Sequence, residues 1–211
     1  LSLPISQVES CSSQPRKSFD EASLAELADS IREHGIIQPL TVRKLASGYY
    51  QIIAGERRWR AARIAGLQEV PVIVIEADDR KAAELAMIEN LQREDLNPIE
   101  EAAGFQSLME TYHMTQEEAA SRVGKSRSAV ANALRLLSLT PPVAKLVEEG
   151  KLSAGHARAL LPLSPALQEN AAGAVISGGL SVRQTEALAK RLSLEKPEKA
   201  PAPKGIDYAA E

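Results

Sequence analysis

Cysteine is almost missing from this chain. Cys11 is the only one in 211 residues, which excludes an internal disulfide and any cysteine-based zinc site. Also missing is an apolar run near the ~20 residues that a membrane-spanning helix needs, and Leu1 to Val8 has neither the basic start nor the long apolar stretch of a secretory signal. No Gly-x-x-x-x-Gly-Lys-Ser/Thr occurs, so a Walker phosphate loop is excluded. No internal repeat is found. Past Leu194 the sequence Glu-Lys-Pro-Glu-Lys-Ala-Pro-Ala-Pro-Lys-Gly lacks anything apolar to bury and is broken by proline, so it reads as a linker. These absences point to a cytoplasmic protein with no membrane partner. The chain opens on Leu1 and stops in a polar tail, as a fragment of something longer would.

What is present suffices for two small domains, with 44% hydrophobic and 25% charged residues. The net charge of −3 argues against nucleic acid only until its distribution is counted. Residues 1–113 hold 12 Lys+Arg against 18 Asp+Glu, residues 114–194 hold 10 against 6, and the tail holds 3 against 4. A basic segment inside an acidic chain suits a local phosphate-binding surface, because counterion release rewards local rather than total charge.

Periodicity gives a coarse outline. Glu21 to His34 carries Leu24, Leu27, Ala28 and Ile31 on one helical face and stops at Gly35. Pro39 to Arg43 and Tyr49 to Ile53 read as strands around a Ser47-Gly48 turn, and Val70 to Ile75 as a buried strand. Glu56 to Ala65 reads as a helix bounded by Gly55 and Gly66, and from Asp79 onward nearly everything is helical. The expected fold class is therefore α+β, a small mixed α/β unit followed by an all-α one.

The segment Thr115 to Leu137 has the pattern of a helix-turn-helix. Thr115 with Glu118 forms a capping box that fixes where a helix starts. Ala119 and Val123 face inward, Gly124 ends that helix, and Ser126 opens the next, whose Val130, Leu134 and Leu137 form the inward stripe. Left outside are Arg127, Ser128, Ala131, Asn132 and Arg135, side chains that permit close approach to a base edge or phosphate. A helical hairpin in an α-bundle would share the capped amphipathic helices, but not the basic, small-residue outer face. Ser153 opens Ala154 to Leu161 and Ser181 opens Val182 to Leu192, completing the helical domain.

In the α/β unit, Gly55-Glu-Arg-Arg-Trp-Arg60 follows a strand directly. A strand-to-helix junction at glycine exposes backbone amides and the positive end of a helix dipole, and Arg57, Arg58 and Arg60 add fixed charge, which is a phosphate site in outline. An exposed arginine-rich helix with Trp59 in the core fits the same residues. A second polar cluster runs from Glu89 to Pro98, where Leu85, Ile88 and Leu91 stay buried while Glu89, Asn90 and Arg93 point elsewhere and Asn97-Pro-Ile-Glu100 caps the next helix. A carboxylate beside an amide oxygen suits Mg²⁺. So does the blander reading, a polar helix end.

Gly-Glu-Arg-Arg-Trp-Arg-Ala-Ala, Glu-Asn-Leu-Gln-Arg-Glu-Asp-Leu-Asn-Pro-Ile-Glu-Glu-Ala and Gly-Lys-Ser-Arg-Ser, in this order and spacing, resemble the ParB chromosome-partitioning family over about Gln14 to Leu192. The resemblance implies a ParB/sulfiredoxin-like CTP-binding domain at 1–95, a helix-turn-helix domain at 96–193 and a linker at 194–211. It implies a clamp that loads on double-stranded DNA at a palindromic centromere-like site, closes and slides with CTP and Mg²⁺, and slowly hydrolyses CTP to CDP. Arg57 and Arg58 would meet the CTP phosphates, with Gly55 and Glu56 shaping the loop. Glu89 and Asn90 would lie at the Mg²⁺–triphosphate, Glu89 being needed for hydrolysis, with Arg93 nearby and Gln38 near the base. Arg16 and Arg60 join this cofactor-binding set. For DNA the resemblance nominates Gln116, Lys125, Ser126, Arg127, Asn132 and Arg158, beside Ser128 and Arg135 from the outer face. It further implies self-association through the N-terminal domain and nucleoid association. The basic segment for a ParA-type ATPase and the C-terminal dimerisation segment are not evident, so neither that ATPase, an SMC-type partner nor permanent dimerisation is assigned to this chain.

Two other functions compete. A plain helix-turn-helix repressor, or a nucleoid-occlusion-type paralogue, needs only the reader helices. A sulfiredoxin-like enzyme would place a catalytic cysteine after the glycine, where this chain has Glu56.

Overall fold

The structure, a computed structural model, describes residues 1–10, 20–93 and 95–194; Cys11, Arg16 and the expected linker beyond Leu194 lie outside the described residues. The described residues pack as two compact units, one within residues 1–96 and 104–127, the other within 97–103 and 128–194.

The first unit is built on five strands: β1 (Ser2–Pro4), β2 (Val8–Glu9), β3 (Leu40–Lys44), β4 (Tyr50–Ala54) and β5 (Glu69–Val74), in the order β1-β5-β3-β4-β2. β1 runs antiparallel to β5 and β3 antiparallel to β4, while β5 is parallel to β3 and β2 to β4. β1 and β2 thus occupy opposite edges although a single 3₁₀ turn, Ile5–Gln7, separates them. Five flat strands would set those edges about 19 Å apart, whereas the five residue-to-residue steps from Leu3 to Val8 reach at most roughly 18 Å even fully extended. The sheet must curl to close the gap. Neither edge strand was legible in the periodicity, since three and two residues are too few to show an alternation.

Helix α1 (Glu21–His34) starts where the Asp20 carboxylate accepts from the Ser23 amide at 3.0 Å and ends at Gly35, whose φ is +70°. Its buried face, Leu24, Ala28 and Ile31, shares one core with Leu40, Val42 and Ile52 of the sheet and Trp59, Ala61 and Ala62 of α2 (Glu56–Ala65). The β4–α2 junction turns on Gly55, in the left-handed region at φ +103°; a Cβ there would lie 2.7 Å from Leu40 Cδ2. Helix α3 (Asp79–Leu91), capped by Asp78, packs against β4 and α5. Its buried stripe is Glu84, Ile88 and Leu91, so the carboxylate of Glu84 takes the inward place expected for Leu85, which is only half-buried.

Helix α4 (Pro98–Tyr112) is opened by a reciprocal cap: Asn97 Oδ1 accepts from the Ile99 and Glu100 amides at 3.0 and 2.9 Å, and Glu100 accepts from the Asn97 amide at 3.1 Å. Helix α5 (Gln116–Val123) starts with the expected capping box and ends at Gly124, φ +77°. Three residues later α6 (Arg127–Arg135) begins. Its buried anchor is Val130, but Leu137 is 37% exposed and Leu136 is buried in its place. The α-helical spacing fails because α6 stops at Arg135 and a 3₁₀ turn, Leu136–Ser138, continues with three residues per turn. In the second unit α7 (Pro141–Glu148), α8 (Ala154–Leu160), α9 (Pro165–Gly178) and α10 (Val182–Leu194) enclose Val143, Val147, Leu152, Leu160 and Ala172. Buried Gln168 ties them together, accepting from the Thr140 amide at 2.8 Å and donating to the Leu160 carbonyl at 3.4 Å. Among the described residues no helix is long and apolar enough to cross a membrane. The fold is the expected α+β arrangement, a mixed sheet domain followed by helices.

Replacing Gly55 by Ala strains the left-handed backbone, which costs about 1–3 kcal/mol, and forces Leu40 aside; the urea midpoint of Gly55→Ala should fall with an unchanged slope. Glu118 gives a pH signature. Its exposed carboxyl is held below the ordinary 4.5, first by the Thr115 amide and then by the Thr115 hydroxyl. A depressed folded-state pKa adds stability above the unfolded value and loses it as pH falls through the folded one. Thermal melts should therefore show wild type exceeding Glu118→Gln near neutrality, with the gap shrinking below about pH 4.5.

Candidate functional site

The four arginines of α2 divide between two directions. Arg58 turns toward the lead-in to β3, where its Nη1 donates to the carbonyls of Gln38 and, at 2.9 Å, Pro39. Arg57 turns toward α1 and donates to Ser23 Oγ at 3.2 Å. Arg60 donates to Glu56 at 2.8 Å and, with Arg63, Glu21, Leu24 and Ile64, lines a groove beside α1. Arg63 lies over the Trp59 ring at 4.9 Å.

Around Arg58 the features of an anion site converge. The N-terminal amides of α2 have no side-chain cap, because Gly55 has none to offer, and they sit at the positive end of the helix. Gly55 leaves its surface bare where any Cβ would collide with Leu40. The Arg58 guanidinium is half-buried and drawn below its ordinary pKa by that burial, while the charge of Glu89 acts in the opposite sense. As a guanidinium it carries its charge at neutral pH. Glu89, exposed near the end of α3, is thus close enough to Arg58 to act on it electrostatically.

Asn90 and Arg93 are half-buried beyond it, with Arg93 Nη1 donating to Asn90 Oδ1 at 3.3 Å and the rest of the guanidinium engaging Asp95 at 3.0 and 2.6 Å. Gln38 is exposed and touches Arg58 through its backbone carbonyl. Glu56 is 7% exposed, and its Oε2 has no hydrogen-bond partner. Such an orphaned buried oxygen is satisfied by a cation or a water. These features fit a nucleotide triphosphate with a divalent ion. Among the described residues no group of three or more His, Cys, Asp or Glu could hold a metal, and Mg²⁺ carried on phosphates needs only one or two protein oxygens. The sequence offered no hint of Ser23, or of the Pro39 carbonyl that fixes Arg58.

The residues expected to meet DNA are placed as follows. Gln116 is half-buried in the first turn of α5, and Lys125 and Ser126 are exposed in the turn that leads to exposed Arg127. On α6, Ser128 and Arg135 are exposed while Asn132 is half-buried. Arg158 on α8 is exposed, its Nε donating to the Ala154 carbonyl at 3.3 Å.

Comparison with known proteins agrees across the whole chain. The ParB N-terminal domain matches residues 1–91 and the ParB HTH domain residues 94–194. The chromosome-partitioning protein Spo0J of Thermus thermophilus is 54% identical over 208 residues, covering 98% of this chain and 77% of that protein. A probable chromosome-partitioning protein ParB of Pseudomonas putida is 48% identical over 93% of this chain and 68% of its own length. Among solved structures, a C-terminally truncated chromosome-partitioning protein ParB from Caulobacter crescentus, complexed to the centromeric parS site, is similar at a TM-score of 0.80 and 46% identity, over 90% of this chain and 99% of that one. The chain belongs to the ParB family of chromosome-partitioning proteins.

Proposed function

We propose that this chain loads onto a palindromic, parS-like duplex through α5, the Gly124–Ser126 turn and α6, and binds CTP with Mg²⁺ at the β4–α2 junction. Nucleotide occupancy brings two copies together through the sheet domain so that they encircle the DNA, and slow hydrolysis to CDP lets them part. The DNA half is carried by the similarity to a ParB complexed to parS, which spans both matched domains at a TM-score of 0.80. The nucleotide half rests on Arg58, a half-buried cation next to uncapped helix amides that is held by the carbonyls of Gln38 and Pro39.

The residues divide the work by chemistry. Arg57 and Arg58 hold phosphate oxygens with planar paired donors, and Gly55 lets the backbone come close. Glu89 and Asn90 would hold Mg²⁺, which would supply charge neutralisation on the triphosphate. Glu89 also orients the attacking water. On the DNA side, Lys125, Arg127, Arg135 and Arg158 supply phosphate or base-edge donors, and Gln116, Ser126, Ser128 and Asn132 supply neutral hydrogen bonds. Occupying a chromosomal site would place the protein on the nucleoid.

The deciding experiment measures nucleotide release and subunit crosslinking for all four NTPs, with and without a parS duplex. CTP alone should respond. Arg58→Ala should lose CTP binding by calorimetry while keeping specific DNA binding; loss of both in a folded variant would refute the division of labour. Glu89→Gln should bind CTP and form crosslinks yet release no CDP, and undiminished turnover would remove Glu89 from hydrolysis.

A further inference from the structure

One buried carboxylate has no part in the reading above. Glu84 is only 7% exposed, although it lies on α3 five residues before Glu89. Both of its oxygens are engaged by cations. Lys81 Nζ donates to Oε2 at 3.0 Å from the same helix, and Arg122 Nη1 donates to Oε1 from α5. A carboxylate taken out of water is strongly destabilising unless it is paired, and losing one partner of a buried pair costs far more than losing a surface pair. Lys81 alone would suffice to neutralise the charge. The second cation, from a helix 38 residues further on, makes Glu84 a joint between α3 and α5.

Further contacts lie along the same stretch of α3. Gln92 Nε2, just past the end of α3, donates to the Val123 carbonyl in the last turn of α5 at 3.4 Å. Gly104 on α4 packs so closely on Leu91 that a Cβ would lie 2.6 Å from Leu91 Cδ2. The charged and titratable groups facing Glu84 come from three helices. Arg80 stands over the Tyr112 ring at 5.9 Å, the Tyr112 hydroxyl is raised in pKa by burial and then by Glu84, and Glu118 feels Arg122 one turn away. These groups, with His113 and Met114, line a cavity of about 320 Å³ over the ion pair. His113 holds the α4–α5 turn in the left-handed region at φ +55°.

We infer that Glu84 and Arg122 are positioning residues that fasten α5, the first helix of the helix-turn-helix, to α3, the helix that carries Glu89 and Asn90. Displacing one helix then displaces the other. Occupancy of the Arg58–Glu89 site and the placement of the chain entering Arg127 are therefore linked in free energy, and the linkage is reciprocal. The inference rests on the proposed nucleotide and DNA sites for its functional consequence, but its geometric part does not.

The test compares the wild-type chain of 211 residues with Glu84→Gln, Arg122→Met and the double variant. CTP affinity with MgCl₂ is measured by calorimetry with and without a parS duplex, and parS affinity is measured alone. Wild type should show a CTP affinity that shifts about fivefold or more when parS is present, the usual scale of coupling between sites. Each single variant should keep its parS-free CTP affinity and its parS affinity within about twofold while the shift shrinks below about twofold, and the double variant should add nothing. A merely structural pair would weaken every affinity together and leave the ratio intact, which overturns the inference. So does a wild-type ratio in either folded variant. Hydrogen exchange on the free protein reads the geometric part without nucleotide or DNA. Deuterium uptake across residues 85–92 should rise in Arg122→Met, although the substitution lies on α5, and an unchanged uptake overturns the joint. Should wild type bind no CTP at all, the proposed function fails while this exchange result still decides whether the two helices are fastened.

Discussion

Arg58 donates to the carbonyls of Gln38 and Pro39, and through those bonds the lead-in to β3 and the first turn of α2 become one piece. Much of the sheet domain depends on that tie. Gly55 must be left-handed for α2 to leave β4 at the required angle, and it must lack a side chain because Leu40, the residue after Pro39, already fills the space. The same contact therefore sets the direction of α2, the floor of the candidate anion site and the position of a core residue that is fully buried. Function and stability cannot be tuned separately at this junction. A side chain that relieved the strain would close the surface on which an anion could rest.

Electrostatics divide along the same lines. The first 113 residues carry an acidic excess, yet three of the four arginines of α2, Arg57, Arg58 and Arg60, are concentrated within four positions at its start, with Glu89 near enough to act on Arg58. The excess of basic residues in 114–194 includes Lys125, Arg127 and Arg135, on or beside α6. Acidic surroundings keep a polyanion from binding just anywhere, so each basic cluster acts locally. The pairing of Arg60 with Glu56 and of Arg93 with Asp95 lowers the number of unbalanced cations still further, which makes Arg58 the more distinctive.

Helix ends and glycine stops were the most legible part of the fold. α1 and α2 have the bounds read from Leu24, Ala28 and Ile31 and from the two glycines flanking Glu56–Ala65, because capping and left-handed termini are decided by residues next to each other in the chain. The motifs around Arg58 and Glu89 were legible for the same reason. What was not legible depends on partners far away in sequence. β1 and β2 exist only because β5 and β4 offer edges. The phase shift that buries Leu136 instead of Leu137 follows from a change of helix type that periodicity cannot foresee. Glu84 did leave a trace, standing at i, i+4 and i+7 with Ile88 and Leu91 on an apolar stripe, but nothing in the sequence named Arg122 as its partner.

The curled sheet is finished at both margins by very short strands, three residues of β1 and two of β2, and Pro4 in β1 has no amide to donate. Open margins of a sheet are templates on which other chains can stack, and short strands with proline are a common safeguard against it. Margins this short give a second copy little backbone to pair with, so the described sheet favours contacts through side-chain surfaces over backbone ladders.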